Sequence, residues 1–199
     1  MSPRPRTVND DAILDATGRV VGRLGFHRLT LADIALECGL SAATLIQRFG
    51  SKHKLLLQLA MRDDAGSADA FANAFRPDQG PLDQLIDALT AIVLPFAAPD
   101  SAANLICFRL AQSNEPELHD QLVSTLDAEL ASSIELLDEA LADGELSDCD
   151  PNAIARALID VRNGSLMSCA LDRQGDVRSR VRATVDAVLE PWRARPRVR

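Results

Sequence analysis

The sequence predicts an all-helical protein, and three observations support that prediction. Apolar residues make up 47% of the 199 residues, whereas aromatic residues make up 4% and tyrosine is absent, which argues against an aromatic-rich β-sandwich. Apolar side chains recur at helical spacing along the chain, and no segment shows the period of two that is typical of a strand. Ala, Leu, Glu and Arg are abundant, and each of them favours helix.

The first two helices have clear signals at their ends. Apolar residues from Ile13 to Leu24 follow helical spacing, and Gly25 is placed to end that helix. Thr30 then has the chemistry of an N-cap, and Asp33 can supply the carboxylate of a capping box. The pattern predicts a short second helix that ends at Gly39.

A third short helix follows almost at once. Ser41 is its predicted N-cap and Gly50 its predicted end, while Leu40 and Leu45 occupy the positions of a hydrophobic staple. Ser51 begins a fourth helix. This fourth helix is the first of six that complete the predicted set of nine, at about 51–75, 82–96, 101–113, 118–141, 151–166 and 177–192.

Charge divides the chain into a basic head and an acidic body. The net charge is -8, yet residues 1–62 carry +4 and residues 63–199 carry -12. Such asymmetry favours a binding head for an acidic partner. We therefore expect a basic binding domain at 8–56, an acidic helical domain at 57–193, and a basic tail at 194–199.

Two short helices joined by a tight glycine-containing turn are typical of a helix-turn-helix motif, whose second helix enters the major groove of DNA. Glutamine suits adenine, arginine suits guanine, and alanine or threonine methyls suit the thymine methyl. Lysines at the start of the next helix, here Lys52 and Lys54, suit a phosphate. The predicted DNA contacts are Thr30, Ser41, Ala42, Ala43, Thr44, Gln47, Arg48 and Lys52.

Each of these assignments has a plainer alternative. The motif can be ordinary helix packing, and Gln47 and Arg48 can lie on a solvated helix face. Arg4 and Arg6 can form a basic arm that reaches DNA, or a chain end without a role. The sequence leaves these alternatives open.

The first 60 or so residues resemble the TetR family of transcriptional repressors. The resemblance rests on a run of matching motifs without insertion: Gly25-Phe26, Thr30 with Ile34-Ala35, Gly39-Leu40-Ser41, Leu45 to Phe49, Ser51-Lys52 and Leu55-Leu56. Three positions depart from the family pattern. Ile46 stands where tyrosine is usual, Arg48 where histidine is frequent, and His53 where an acidic residue often caps the next helix.

The resemblance implies that residues 8–56 form a helix-turn-helix DNA-binding domain and that residues 57–193 form a helical regulatory and dimerisation domain. Helices four to seven would enclose a small-molecule pocket, and helices eight and nine would pair with a second subunit in a four-helix bundle. Ligand binding would then change the separation of the two DNA-binding heads. Apolar walls with a few polar groups make a typical pocket, and the candidate lining residues are Phe96, Phe108, Gln112, Arg162, Asn163 and Met167.

Two features of the acidic body bear on its chemistry. Arg162 can meet an anionic ligand or form a surface or dimer salt bridge. The acidic residues of the seventh helix are expected to face solvent. We find no residue pattern for catalysis, so we expect no enzyme activity, no cofactor and no metal site.

The sequence therefore predicts a cytoplasmic, homodimeric repressor that binds a palindromic operator and is released by a small molecule. The alternative is a helical protein-interaction adaptor that binds no specific DNA. An α-helical enzyme is a distant third.

Overall fold

The structure, a computed structural model, describes residues 8–74, 76–93 and 99–194, without the side chains of residues 63–69, 72, 74, 99 and 117. Within these ranges the chain forms nine α-helices, and the predicted all-helical class is confirmed. Their bounds are α1 Asp10–Leu24, α2 Leu31–Cys38, α3 Ala42–Phe49, α4 Lys52–Ala74, α5 Pro81–Ala91, α6 Pro99–Gln112, α7 Pro116–Ala142, α8 Pro151–Asp172 and α9 Val177–Leu189. A short 3-10 helix, Glu190–Trp192, follows α9.

The predicted capping residues set the ends of the first helices. The Thr30 side chain accepts from the Asp33 amide and the Asp33 carboxylate accepts from the Thr30 amide, which completes the capping box. Ser41 accepts from the Thr44 amide at 3.1 Å and begins α3. Gly39 has φ 67°, a conformation that glycine adopts without a steric penalty. These local bonds explain why two helices of eight residues each can end and restart so closely.

The later helices follow the predicted order with small differences at their ends. The predicted fifth helix reaches Phe96, whereas α5 ends at Ala91, and residues 94–98 lie outside the described ranges. Asp150 is the N-cap of α8 and accepts from the Asn152 amide. None of the helices within the described ranges is long and apolar enough to cross a membrane.

Two apolar clusters hold the helices together. The first, here called the head cluster, contains buried side chains of α1 to α4 together with Phe108 of α6 and Leu118 of α7. The second, here called the body cluster, is built by α5 to α9 and includes Leu85, Leu137 and Leu158. Helix α6 supplies Ala102 to the body cluster and Phe108 to the head cluster, so it belongs to both. The predicted division of the chain at residue 56 stays a prediction.

A polar contact ties the loop after α7 to the start of α5. Glu145 accepts from the Leu82 amide at 3.0 Å and so supplies a carboxylate to the N-terminus of α5, whose N-cap Gly80 has no side chain to do this. A Cβ at Gly80 would lie 1.9 Å from Glu145 Oε1, so a glycine is needed for this approach. The same loop makes an isolated antiparallel bridge, Leu146 with Arg193, to the end of the chain.

Candidate nucleic-acid interface and regulatory core

Helix α3 presents one face to the head cluster and another to solvent. Leu45 and Phe49 are buried, at 0% and 4% exposure, and anchor the helix. Ala43, Ile46 and Gln47 are exposed on the other face. This is the arrangement required of a helix that enters a DNA groove while it stays fixed to its own domain.

Three of the predicted contact residues lie at the margin of this face. Ala42 is half-buried and packs against the head cluster. The hydroxyls of Ser41 and Thr44 are 2.8 Å apart, and Ser41 also caps α3. The two hydroxyls thus have a structural role in starting α3, and their role in DNA contact stays a prediction.

The guanidinium group of Arg48 is bonded to other residues of the head. Its Nη1 donates to the Val8 carbonyl at 2.5 Å, and its Nη2 forms an ion pair with Asp10. Val8 lies just before α1 and Asp10 is its first residue, and both are some 40 positions earlier in the sequence than Arg48. To contact a base, as predicted, the Arg48 side chain must leave Asp10.

Lys52 and Thr30 lie together beside the start of α2. Lys52 Nζ donates to the Leu29 carbonyl at 2.6 Å and lies 6.0 Å from the centre of the Phe26 ring. Thr30 bonds to Asp33, and these bonds hold the pKa of the Asp33 carboxyl below its ordinary value. Lys52 and the capping box therefore stabilise the turn before α2, and Lys52 and Thr30 are also polar groups at the surface of the head.

The charges of the head are mostly paired. Glu37 of α2 accepts from Arg19 Nε and from Arg23 Nη1, both at 3.0 Å, and these bonds lower the pKa of its carboxyl. Arg28 and Lys54, by contrast, are exposed and form no ion pair with the described part of the chain. Lys54, like Lys52, lies at the start of α4, where the sequence predicts that lysines suit a phosphate contact. Arg28, two positions before the N-cap Thr30, was not predicted from the sequence.

Helix α6 connects the head to the body. Asn104 Nδ2 donates to the Gly22 carbonyl at 2.7 Å near the end of α1, and the Phe108 ring lies 5.6 Å from that of Phe26. Gly25, with φ 80°, follows α1, and a Cβ there would lie 2.6 Å from Asn104 Oδ1. Phe108, predicted to line a pocket, therefore packs against the head.

The other predicted pocket residues occupy varied environments. Gln112 and Arg162 are buried, at 3% and 4% exposure, whereas Asn163 is exposed and Met167 is 42% exposed. The Asn163 side chain accepts from Arg162 Nε and Nη2, at 3.3 and 3.2 Å. Phe96 lies outside the described residues.

The buried face of α7 is polar at its centre. Thr125, Glu129 and Ser133 follow at intervals of one turn and are 5%, 2% and 0% exposed. The expectation that the acidic residues of this helix face solvent is therefore wrong for Glu129, which forms an ion pair with Arg162 at 2.9 Å. Leu122 and Leu126 lie one turn before Thr125 and Glu129, so the apolar row beside this face was the available sequence signal.

A small cavity of about 240 Å³ lies where α4 meets the start of α7. His53, Leu57, Glu115, Pro116 and Leu118 line it. Sites for drug-sized ligands usually measure about 300–1,000 Å³, so this cavity is small for an effector.

Comparison with known proteins identifies the first part of the chain. Residues 13–59 match the family model described as bacterial regulatory proteins, tetR family. The HTH-type transcriptional regulator BetI of Agrobacterium fabrum is 47% identical over 47 residues. That match covers 24% of this chain and 23% of the BetI protein.

The fold of the whole chain is similar to solved structures at low sequence identity. A TetR transcription regulator from Haloarcula marismortui gives a TM-score of 0.77 at 19% identity, covering 92% of this chain and 97% of that one. A transcriptional regulator from Saccharomonospora viridis, solved with choline, gives 0.77 at 21% identity, with 91% and 95% covered. FadR of Bacillus subtilis, solved with stearoyl-CoA, gives 0.67 at 16% identity, with 88% and 95% covered. The N-terminal segment of the chain is thus similar to the TetR family of bacterial regulatory proteins, and its helical architecture is similar to that of solved regulators of that family.

Proposed function

We propose that this chain is a ligand-responsive transcriptional repressor that binds palindromic operator DNA as a homodimer and is released from it by a small molecule. The observation that carries this proposal is the geometry of α3. Leu45 and Phe49 fix the helix to the head cluster, while Ala43, Ile46 and Gln47 stay exposed on the far side. The segment that matches the TetR family model contains this helix.

The contacts with DNA divide into those that read bases and those that hold phosphates. Gln47 and the methyl groups of Ala43 and Ile46 would face base edges, with Ala42 and Thr44 at the margin of the face. Arg48 would join them after leaving Asp10. The proposed phosphate contacts are Thr30, Ser41 and Lys52, together with Arg28 and Lys54.

The proposed dimer forms through α8 and α9. Asn163, Gly164, Met167 and Leu171 are exposed on one side of α8, and Leu171 is 77% exposed. A Cβ at Gly164 would meet nothing within 4 Å, so a second helix can approach closely there. A two-fold dimer presents two copies of α3 and therefore favours an operator with two inverted half-sites.

The effector would act through α6. This helix packs into both clusters, and Asn104 bonds to the end of α1, so a shift of α6 in the body moves the head. Structures of this fold have been solved with choline and with stearoyl-CoA, which supports a small-molecule effector here. The effector would bind best when the two heads have a spacing that does not fit DNA, and it would therefore weaken DNA binding. By linkage, DNA would weaken effector binding by the same factor.

Selection of bound duplexes from a random DNA library tests the proposal. At near-physiological salt, we expect an inverted repeat, with an affinity that falls steeply as salt rises because phosphate contacts release counterions. Recovery of nothing above background by folded, dimeric protein would contradict it.

A second candidate, a helical adaptor for another protein, is favoured by one observation. Leu36 on α2 and Ile46 on α3 are large apolar side chains at 83% and 51% exposure, and exposed apolar groups often mark protein contacts. An adaptor would select no DNA sequence. Substitution of Leu36 by Gln would then abolish partner binding, whereas a DNA-binding head would keep its operator preference.

A further inference from the structure

Three buried polar side-chain atoms have no hydrogen-bond partner within the described part of the chain. They are Gln112 Oε1 on α6, Glu129 Oε2 on α7 and Arg162 Nη1 on α8. The three residues are 3%, 2% and 4% exposed, so bulk water does not satisfy these atoms. Buried polar groups are nearly always paired, and each exception calls for an explanation.

Glu129 and Arg162 form a pair that leaves one atom open on each side. Glu129 Oε2 lies 2.9 Å from Arg162 Nη2, but this contact does not have the angles of a hydrogen bond, so Oε2 remains without one. Arg162 directs Nε and Nη2 to Asn163 Oδ1. Nη1 is thus a charged donor without an acceptor, next to a carboxylate oxygen without a donor.

Gln112 lies at the same level of the helix bundle as Arg162. Asp100 at the start of α6 forms an ion pair with Arg173 after the end of α8, at 3.3 Å, so the two helices run antiparallel. Gln112 and Arg162 each lie about 17 Å along their helices from this ion pair, at 1.5 Å per residue. From this helix geometry we infer that the third unpartnered atom lies at about the same level along the two helices.

The charges of the site select the kind of molecule it would take. Glu129 and Arg162 cancel each other, so an anion would meet the carboxylate and a cation would meet the guanidinium in a region without water. An uncharged group that carries an acceptor and a donor side by side satisfies Nη1 and Oε2 together. The apolar side chains of the body cluster suit a hydrocarbon part attached to that group.

We propose that Glu129 and Arg162 are the polar end of the effector site, and that the effector is an uncharged molecule with a carboxamide-like group on an apolar body. Its carbonyl oxygen accepts from Arg162 Nη1, and its N–H donates to Glu129 Oε2. This inference rests on the proposed function, because it names the class of molecule that releases the repressor.

Three probes of equal length test the inference on the full-length protein: hexanamide, hexanoate and hexylamine, titrated by calorimetry. We expect hexanamide to bind at least tenfold more tightly than either charged probe. Glu129→Gln leaves the arginine charge alone, so hexanoate becomes the preferred probe. Arg162→Gln leaves the carboxylate alone, so hexylamine becomes the preferred probe.

Two further variants keep the test decisive. Arg182→Gln removes an arginine from an exposed ion pair with Asp87 and should leave all three affinities unchanged. A single substitution in a buried pair can prevent folding, whereas replacing both partners with apolar residues is often tolerated. The double variant Glu129→Leu with Arg162→Met should therefore fold, keep operator binding and lose hexanamide binding.

The outcomes separate this inference from the proposed function. If wild-type protein binds none of the probes, or if its order of preference is the same in the single variants, the inference is wrong and the pair is structural only. Hexanamide binding that persists in the double variant also overturns it. Operator selection is measured independently, so a repressor that binds DNA but not hexanamide retains its proposed function.

Discussion

The ion pair between Arg48 and Asp10 predicts that one acidic residue of the head weakens DNA binding. Arg48 is proposed to read a base, yet in the structure its guanidinium contacts Asp10 and the Val8 carbonyl. The exposed fractions of the two charged side chains are 29% and 63%, so water screens the pair. Such pairs contribute about 0.2–1 kcal/mol, and DNA binding must offset that amount before Arg48 is released.

The change Asp10→Asn removes this competition and should tighten operator binding. At 1.36 kcal/mol per tenfold change in affinity, the gain is about 1.4-fold to fivefold. Asp11→Asn is the matched control, because Asp11 is exposed in the same first turn of α1, whereas the partners of Arg48 among the described residues are Val8 and Asp10. Both variants lose one negative charge, so their difference isolates the ion pair.

Fluorescence anisotropy with the selected operator measures the two dissociation constants. The reasoning is refuted if Asp10→Asn binds no more tightly than Asp11→Asn. Weaker binding by Asp10→Asn would show that the ion pair holds the beginning of α1 in the DNA-binding arrangement, and that Arg48 does not read a base.

Three other predictions concern stability and assembly. Thr30→Ala should reduce the free energy of unfolding by about 1 kcal/mol in urea titrations at pH 7. Bonds to Thr30 keep the pKa of Asp33 below its ordinary value of 3.8, so the part of this stabilisation that comes from the Asp33 carboxylate is present above that pH and is lost as the pH falls through the lowered pKa. The bond from the Asp33 amide to the Thr30 hydroxyl does not depend on pH. A loss that does not shrink in acid would contradict this account. Leu171→Lys should weaken the dimer at least tenfold in sedimentation equilibrium, because it places an unpaired charge in the proposed interface, and an unchanged dimer would place the interface elsewhere. Gly25→Ala should destabilise the protein by about 1–3 kcal/mol in thermal unfolding, since φ is 80° and the new Cβ would approach Asn104. Gly144 has a similar φ of 73°, but a Cβ there would meet nothing within 4 Å, so Gly144→Ala should reduce the free energy of unfolding by less. Equal reductions in the two variants would show that the approach to Asn104 does not contribute.

The parts of the fold that follow from local chemistry were predictable from the sequence. Thr30 and Ser41 cap helices through residues three positions away, so their bonds are visible in the sequence itself. The ends of helices with weaker signals were less predictable. The apolar pattern predicts a fifth helix as far as Phe96, but α5 ends at Ala91.

Interactions between distant parts of the chain were not predictable in this way. Arg48 and Asp10 meet because α3 packs near the start of α1, and no local pattern joins them. Glu129 lies inside because α5 and α8 pack against α7, which determines the side that is covered. Periodicity identifies an apolar side, but it does not show that a polar row beside it is covered as well.

The double membership of α6 has a consequence for how the protein unfolds. Phe108 fills part of the head cluster and Ala102 part of the body cluster, so neither cluster is complete without the same helix. A head fragment ending after α4 would expose the apolar surface that Phe108 and Leu118 cover. Melting of either part removes α6 from the other, which favours a single cooperative transition with a calorimetric enthalpy equal to the van't Hoff enthalpy.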